Sequence, residues 1–427
     1  MLKKIAVVCS TDPRNDFRIL KQIKLLKKSG YTVKVFGVAE SAKTSVDSFD
    51  DFDLILYRKD ILPPAIRYLL IKYRRLKYIF SIKSKILHNE IINTNKSINN
   101  FNKLNFKNKI IRAFVDFYYV NYLTKLYKKD LLKFRPDIIH AHELPAGRVG
   151  SCLKSKIKCS LIYDTHELET STHAVLPGIS WWYRQLAEKN VVRNSNNVIT
   201  VSSDIKDYLS KIYNKEKIEV IYNTPDFLPK NNRSADIRSK LKLQNFDKLA
   251  VYIGSIGAGR GLDIILKAVN LIPNLHLSFL GVCPESDSAI YLKEIVRREK
   301  LSMRLHFISP VPHDEITTFI TGANVSLIAT QNICLNHKYS MPNKLFESAF
   351  ANVPVVSTPV HSTSNFIEEI GLGEVAGDYD YISYSEAIRI VLENNKSYYN
   401  PTINEKLREN YGWLAQEKKM LRIYNSL

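Results

Sequence analysis

The chain has 427 residues, of which 45% are hydrophobic and 11% aromatic, and a formal net charge of +20. That length holds two or three domains with cores of their own, and the composition excludes collagen-like, mucin-like and wholly disordered chains. No apolar run approaches the roughly 20 residues that span a bilayer, so no transmembrane segment is expected.

The charge is unevenly placed. Residues 58–133 carry 18 Lys or Arg against four acids, a net of +14. Such a patch implies an anionic partner: membrane lipid, nucleic acid or a charged substrate. The five cysteines (Cys9, Cys152, Cys159, Cys283 and Cys334) are odd in number and form no CxxC pair. They read as reduced thiols, without metal, in a cytosolic protein. The N-terminus MLKKIAVVCSTD lacks a small-residue cleavage site and reads as a first β-strand rather than a signal peptide.

In chain order, KKIAVVCS reads as a buried strand. A helix with Ile19, Ile23, Leu25 and Leu26 follows and stops at Ser29-Gly30, and YTVKVFGV alternates as a second strand. PDIIHAH, SLIYDTH and NVITVSS are apolar runs that each end in polar residues, with helical stretches between them. That alternation predicts a parallel α/β sheet. A second series, LAVYIGS, LHLSFLGV, RLHFIS, NVSLIAT and VPVVST, is interleaved with helices such as LDIILKAVNLI and SAIYLKEIVRREK. The two series join around the polar stretch 228–247. Residues 61–133 break the alternation. ILPPAIRYLLIKYRRLKYIF predicts a helix with Ile66, Leu69, Leu70, Tyr73, Leu76 and Phe80 on one face and Arg67, Arg74 and Arg75 opposite. NTNKSINNFNKLNFKNK reads as a mobile polar connection, and IIRAFVDFYYVNYLTKLYKK as a second, aromatic-rich helix.

In open parallel sheets ligands bind outside the carboxyl ends of the strands. That rule selects the loop after IAVVCS, His140 and His142, residues 164–167, the loop after VYIGS, and the approach to YSMPNKLFESAF. In the last, Pro342 begins a helix whose first-turn N–H groups and dipole favour a phosphate, and Lys344 adds a full charge. Glu347, one turn on, can accept two hydrogen bonds from a vicinal diol such as a ribose. The alternative is a helix start with an ordinary surface Lys–Glu pair. In VYIGSIGAGRGLDII the glycines Gly254, Gly257, Gly259 and Gly261 permit close backbone approach and Arg260 can pair with phosphate, although the spacing is neither Walker A nor GxGxxG. HAHE and DTHE place His140, His142, His166 and Glu167 at strand ends. A metal cluster there is conceivable, but the helical HExxH spacing is absent, and His142 reads better as a cleft histidine with His140 packed. TDPRND is either a turn capping the first helix or a loop that brings Arg14 to the substrate.

In this order, KSGYTVKVF, RPDIIHAHE, LIYDTHE, NNVITVSS with IEVIYNTPD, YIGSIGAGRGLD, PNKLFESAFANVPVVST and the C-terminal YGWLAQEKKMLRIY resemble the retaining, nucleotide-sugar-dependent glycosyltransferases of family 4. The resemblance covers nearly all of the chain apart from 61–133. It implies the GT-B fold. Two Rossmann-like domains with parallel sheets face a central cleft, 1–235 for the acceptor (with the basic helical insertion 61–133) and 236–400 for the nucleotide sugar. A C-terminal helix, 401–427, crosses back to the first domain.

The resemblance also implies roles. Glu347 grips the donor ribose, Arg260 and Lys344 hold the diphosphate, and His142 lies near the reacting sugar. Asn343, Gly257, Gly259, Ser255, Tyr339, Arg14 and His166 are further expected to bind substrate. No metal and no cofactor are required. The chain departs from the family twice. Tyr339 stands eight residues before Glu347, where many members carry a second glutamate, and Ser255 stands after the strand glycine, where many carry Arg.

The expected activity is transfer of a sugar, with retention of configuration, to a lipid-linked glycan in cell-surface polysaccharide synthesis. The basic segment would hold the enzyme on the inner face of an anionic membrane. Two rivals remain at this stage: a nucleotide-sugar epimerase of the same fold, and a nucleic-acid-binding protein prompted by the charge and interleaved aromatics. The second is not favoured, because the charge sits in an insertion, so no nucleic-acid partner is expected.

Overall fold

The computed structural model describes residues 3–39, 45–49, 52–58, 106–172, 178–225, 236–257, 259–283, 285, 290, 292, 303–394, 398 and 401–427. They form two compact units, one of Met1–Ile199 with Leu209–Glu219, the other of Thr200–Tyr208 with Val220–Ser426. The helix expected over 61–80 lies outside the described residues, as do nearly all of SAIYLKEIVRREK and the polar connection up to residue 105; its last four residues, 106–109, are helical and not a connection.

The first unit is built on β1 (Lys4–Val8), whose Ile5, Ala6, Val7 and Val8 are all buried because helices cover both faces of the sheet. α1 (Phe17–Lys28) follows, its free N–H groups satisfied by the Asp16 carboxylate, which accepts from the amides of Arg18 and Ile19. β2 (Thr32–Ala39), β3 (Ser45–Phe49) and β4 (Phe52–Arg58) come next. Then follow α2 (Phe106–Phe134), β5 (Ile138–His142), α3 (Glu143–Ile157), β6 (Ser160–Asp164), α4 (Ile179–Asn194), β7 (Asn197–Thr200), α5 (Ser203–Tyr213) and β8 (Ile218–Val220). The sheet runs β3-β4-β2-β1-β5-β6-β7-β8. The expectation of a wholly parallel sheet needs one correction: β3 is antiparallel to β4. A strand that follows its neighbour closely in sequence can return only as a hairpin, since a parallel partner needs a long crossover.

α2 also revises the picture of 61–133 as a segment apart. Val120, Leu123, Tyr127 and Leu131 recur at three- and four-residue spacing and are buried. The Tyr127 ring lies 5.9 Å from Phe36 and 4.9 Å from Tyr57, and its hydroxyl donates to the Cys9 carbonyl at 2.9 Å. The second half of this basic stretch is thus a core crossover helix between β4 and β5.

The second unit contains α6 (Ile237–Leu241), β9 (Lys248–Ile253), α7 (Leu262–Asn270), β10 (Leu275–Leu280), β11 (Leu305–Ile308), α8 (Ile316–Phe319), β12 (Val325–Ile328), α9 (Leu335–Tyr339) and α10 (Asn343–Phe350). It continues with β13 (Val355–Ser357), α11 (His361–Ile370), β14 (Gly373–Val375), α12 (Tyr381–Glu393), α13 (Pro401–Tyr411) and α14 (Trp413–Asn425). Its sheet runs β11-β10-β9-β12-β13-β14 and its registered pairs are all parallel. Ile403, Leu407 and Tyr411 of α13 pack on a core of α10 and α11 side chains in this unit.

Both units are doubly wound. In each, the first strand sits in the middle and successive strands extend to one side, then jump to the other. The order reverses between β1 and β5 in the first unit and between β9 and β12 in the second. Such a switch point opens a crevice outside the strand ends, and the next βα loops diverge around it. The crevice positions of the two units hold the polar residues selected from sequence.

Candidate functional site

In the second unit the loop after β9 is shaped by its glycines. Gly261 adopts φ 61°, and a Cβ there would meet the Ala329 carbonyl oxygen at 2.0 Å, so the loop lies directly on the chain leaving β12. Gly259 adopts φ 76°, and a Cβ would fall 2.6 Å from Cε1 of His337. The Gly259 carbonyl accepts from the Gln331 amide at 2.9 Å, and His337 Nδ1 lies 2.9 Å from the Gln331 carbonyl. Gly257, by contrast, borders open space, and Ser255 is exposed. This loop therefore presents bare backbone outward and uses its other glycines to close on the neighbouring strand end.

Facing that loop, α10 begins after Pro342, whose own side chain offers no cap to the first-turn N–H groups. Asn343 at the first position is exposed. The Lys344 ammonium lies 3.8 Å from the centroid of the Tyr252 ring, over its negative face. Burial first, then the positive charge of Arg260, pushes Lys344 down to about 7, and Glu347 only partly offsets this. Tyr252 is pushed up to about 12 by burial, and its hydroxyl donates to the Ser255 carbonyl at 2.9 Å. Glu347 is buried, with Oε1 3.4 Å from Nε2 of His313. Two cationic side chains crowded at a helix N-terminus, with a carboxylate one turn further in, form a seat that an anion would relax.

Tyr339 ends α9, and its carbonyl accepts from the hydroxyl of Ser202, which groups with the second unit, at 2.5 Å. Its ring meets His361 edge-on at 6.2 Å, and Lys338 Nζ lies 5.4 Å from its centroid. His361 in turn lies 3.5 Å from Asp204. The position thus carries an aromatic face bordered by basic groups instead of an acid.

The first unit's crevice is built differently. Arg18 of α1 grips Asp164 at the end of β6 through two bonds, Nη2 to Oδ1 at 2.8 Å and Nε to Oδ2 at 3.2 Å. Gln22, one helical turn on, donates to Oδ2 at 2.9 Å. Burial alone would raise the Asp164 carboxyl, but Arg18 and then His140 outweigh it and hold it well below the usual carboxylate range. His140 Nε2 and His142 Nδ1 stand 3.6 and 3.7 Å from the same carboxylate, and His142 Nδ1 lies 3.1 Å from Nε2 of His166. Burial, then His140, pushes His142 well below the ordinary imidazole value, and burial lowers His166 as well. His142 is a neutral imidazole near pH 7, and its buried Nε2 has no hydrogen-bond partner among the described residues. It can serve a ligand hydroxyl as donor or acceptor.

Beside it, Glu143 adopts φ 66°, an uncommon conformation for a residue with a side chain, and accepts from the Ser10 hydroxyl. Burial, with Glu169 close by, pushes its carboxyl up to about 8.

His140, His142 and Asp164 bring ligand atoms within 4.8 Å of one another, which tests the metal alternative. The donor set does not suit a divalent ion. Both Asp164 oxygens already accept from Arg18 and Gln22, so a cation would displace a buried guanidinium of the same sign.

The structure brings together Arg260, Lys344, Glu347 and Gly259 in one unit, and His142 with His166 in the other. Arg14 folds back on its own turn, with Nη2 2.7 Å from Asp12. Three groups escaped the sequence reading: Arg18 with Gln22, Tyr252, and His313. The first pair left a signal, because two polar residues four apart sit in the stripe of Ile19, Ile23 and Leu26, where they must be buried. Tyr252 and His313 left none, since an aromatic in a strand and a histidine after Pro312 are ordinary.

Two family descriptions match the chain, Glycosyltransferase Family 4 over residues 101–226 and Glycosyl transferases group 1 over residues 234–409. An uncharacterized glycosyltransferase of Methanocaldococcus jannaschii is 22% identical over 301 residues, 67% of this chain and 75% of that protein. Among solved structures, sucrose-phosphate synthase from Thermosynechococcus elongatus superposes with a TM-score of 0.73 at 16% identity over 99% of this chain and 98% of that one. Anabaena HepE in complex with UDP-glucose gives 0.69 at 13% identity over the whole of both chains. The two doubly wound sheets are those of the GT-B architecture. With residues 101–226 and 234–409 matched in order, this chain is a glycosyltransferase and belongs to family 4.

Proposed function

We propose that the chain transfers a sugar from a nucleoside diphosphate sugar to a lipid-linked glycan, with retention of configuration, in the synthesis of a cell-surface polysaccharide. The observation that carries the donor half is the pairing of Lys344 and Arg260 at the β9–β12 switch point, with Glu347 one turn into the helix. The diphosphate sits on the α10 N-terminus between these cations and the loop that carries Ser255, Gly257 and Gly259. Glu347 holds the ribose diol, and Asn343 borders the phosphates. Tyr339 faces the sugar.

As the anomeric bond breaks, the ring gains positive character and the diphosphate gains negative charge. Arg260, Lys344 and the helix amides neutralise that charge in place, which removes the need for a metal. His142 offers its Nε2 to a hydroxyl of the reacting sugar, His166 holds it from the far side, and the acceptor attacks the face the diphosphate leaves. Arg14 borders the acceptor. UDP is the base to test first, since HepE, a protein of the same fold, was solved with UDP-glucose.

The acceptor half rests on charge. The net +14 over residues 58–133 suits an anionic bilayer, and attachment to the inner leaflet brings the enzyme to lipid-linked substrates. Among the described residues no helix is long and apolar enough to cross a membrane. Calorimetric titration with UDP, GDP, CDP and ADP tests the donor site. One nucleotide binds and Arg260→Ala weakens it; if none binds to folded protein, the donor reading fails. Glu347→Ala is expected to abolish most turnover while leaving the fold intact, and activity within a few-fold of wild type would remove Glu347 from the site.

A further inference from the structure

α4 carries an apolar face that stays exposed among the described residues of its own unit. Ile179 is 64% exposed and Trp182 59% exposed, and Trp181 and Leu186 are exposed beside them. Ile179, Trp182 and Leu186 stand at i, i+3 and i+7, one side of a helix. A soluble helix turns such a stripe inward. Here the inward side is filled by Ala187, Glu188, Val191 and Val192, all buried, so the stripe is a second apolar face on an element that has already satisfied its core. The patch continues onto α2. Phe117, 53% exposed, lies 5.0 Å ring to ring from Tyr183, and Asn121 bonds the Tyr183 hydroxyl.

Among the described residues the exposed charges along these faces have one sign. Lys189 lies seven residues after Trp182 and Arg193 seven after Leu186, on the same side of α4, and both are exposed. The one acid of α4, Glu188, is buried and bonded to Tyr213 at 2.6 Å. On α2, Lys128 follows Phe117 by eleven residues on the same side and is exposed, with Lys125 and Lys129 beside it. Asp130 is taken up by the Tyr57 hydroxyl. Tryptophans flanked by exposed cations, with no exposed acid on the helix that bears them, match the interfacial layer of an anionic bilayer. There the rings sit among headgroups and the cations meet lipid phosphates.

We propose that this face, Ile179, Trp182 and Leu186 of α4 with Phe117 of α2, docks on an anionic lipid bilayer. The inference rests on the membrane reading above and goes beyond it by extending the contact from the basic segment 61–133 to a tryptophan-bearing helix of the first unit.

The chain has three tryptophans, and the third, Trp413, is only 6% exposed. Intrinsic fluorescence therefore reports the face directly. The full chain is mixed at low salt with phosphatidylglycerol–phosphatidylcholine vesicles, with and without brominated acyl chains, and vesicle binding is read separately by co-sedimentation. Bound protein is expected to show bromolipid quenching. Trp182→Ser lowers the bound fraction about tenfold with an unchanged unfolding midpoint, as the removal of an exposed side chain should. Lys189→Glu with Arg193→Glu lowers it on anionic vesicles. Co-sedimentation without quenching would overturn this face while leaving the membrane reading to the basic segment 61–133. No co-sedimentation overturns both. A vesicle-free dimer that disappears in the tryptophan variant would show that a second copy covers the face, and overturns it equally.

Discussion

The two crevices occupy the same topological position in sheets of the same winding, yet they handle charge in opposite ways. In the first unit the buried charges are closed on one another: Asp164 is gripped by Arg18 and Gln22, and beside it lie His142 and His166, both pushed below the ordinary imidazole value by burial. In the second, Lys344 and Arg260 are like-charged neighbours, and the nearest relief for Lys344 is an aromatic ring and Glu347. A closed network holds a side chain still and leaves the crevice without strong net charge. An open one is held at a disadvantage until an anion arrives. One winding can thus hold a closed network of buried charges in one unit and a crowded pair of cations in the other. The difference lies in which partners each loop brings, not in the sheet.

The sharpest way to break this contrast is to open the closed network. Arg18→Ala leaves the Asp164 carboxylate buried without its main partner. It is expected to destabilise the first unit by about 3–5 kcal/mol, read from urea unfolding, with Arg18→Lys losing less. A loss below about 1 kcal/mol would mean the pair is not the keystone its geometry suggests. In the open network, Lys344→Met is expected to slow turnover by about two to three orders of magnitude with little loss of stability, because a desolvated like charge is removed along with the catalytic cation. Equal turnover in the variant would leave Arg260 and the helix amides as the whole charge sink.

Two pH effects separate the units further. Burial pushes Glu188 of the first unit up to about 7. Below about 4.5 its carboxyl is protonated in both folded and unfolded chains. Between there and about 7 only the folded chain keeps the proton, so stability falls as pH rises. The loss is complete above 7 and amounts to up to about 3 kcal/mol. Glu188→Gln should flatten that part of the profile.

In the second unit Lys344, faced by Arg260, Glu347 and Tyr252, is about half neutral in the free protein near pH 7. Diphosphate favours its ammonium form, so binding takes up a proton. Affinity is expected to fall by up to about tenfold per unit as pH rises above 7, a linkage absent from Lys344→Met. Calorimetry in two buffers of different ionisation enthalpy measures the proton directly, and zero uptake at pH 8 would separate Lys344 from the phosphate.

Hydrophobic patterning in the sequence already determined much of this molecule. IAVV, IIHAH, LIYD, LAVYI and LHLSFL announce buried parallel strands because both faces of such a strand must be apolar, and helices between them require crossovers. From that alternation the two doubly wound units and their loop-borne polar residues follow, and Pro342, Lys344, Glu347 and Arg260 could be named from local chemistry. β3 escaped because a short polar hairpin strand has no periodicity of its own. α2 looked like part of a surface insertion because it continues the most basic stretch of the chain, whereas its burial is set by four residues at helical spacing.

What only the tertiary structure decided is which groups meet. Tyr252 beneath Lys344, His313 against Glu347, and Arg18 with Gln22 on Asp164 join residues 92, 34, 146 and 142 positions apart. A pKa, a closed ion pair or an exposed tryptophan face depends on distance and desolvation. Those come from how strands are ordered and helices rotated, which a local sequence pattern does not encode.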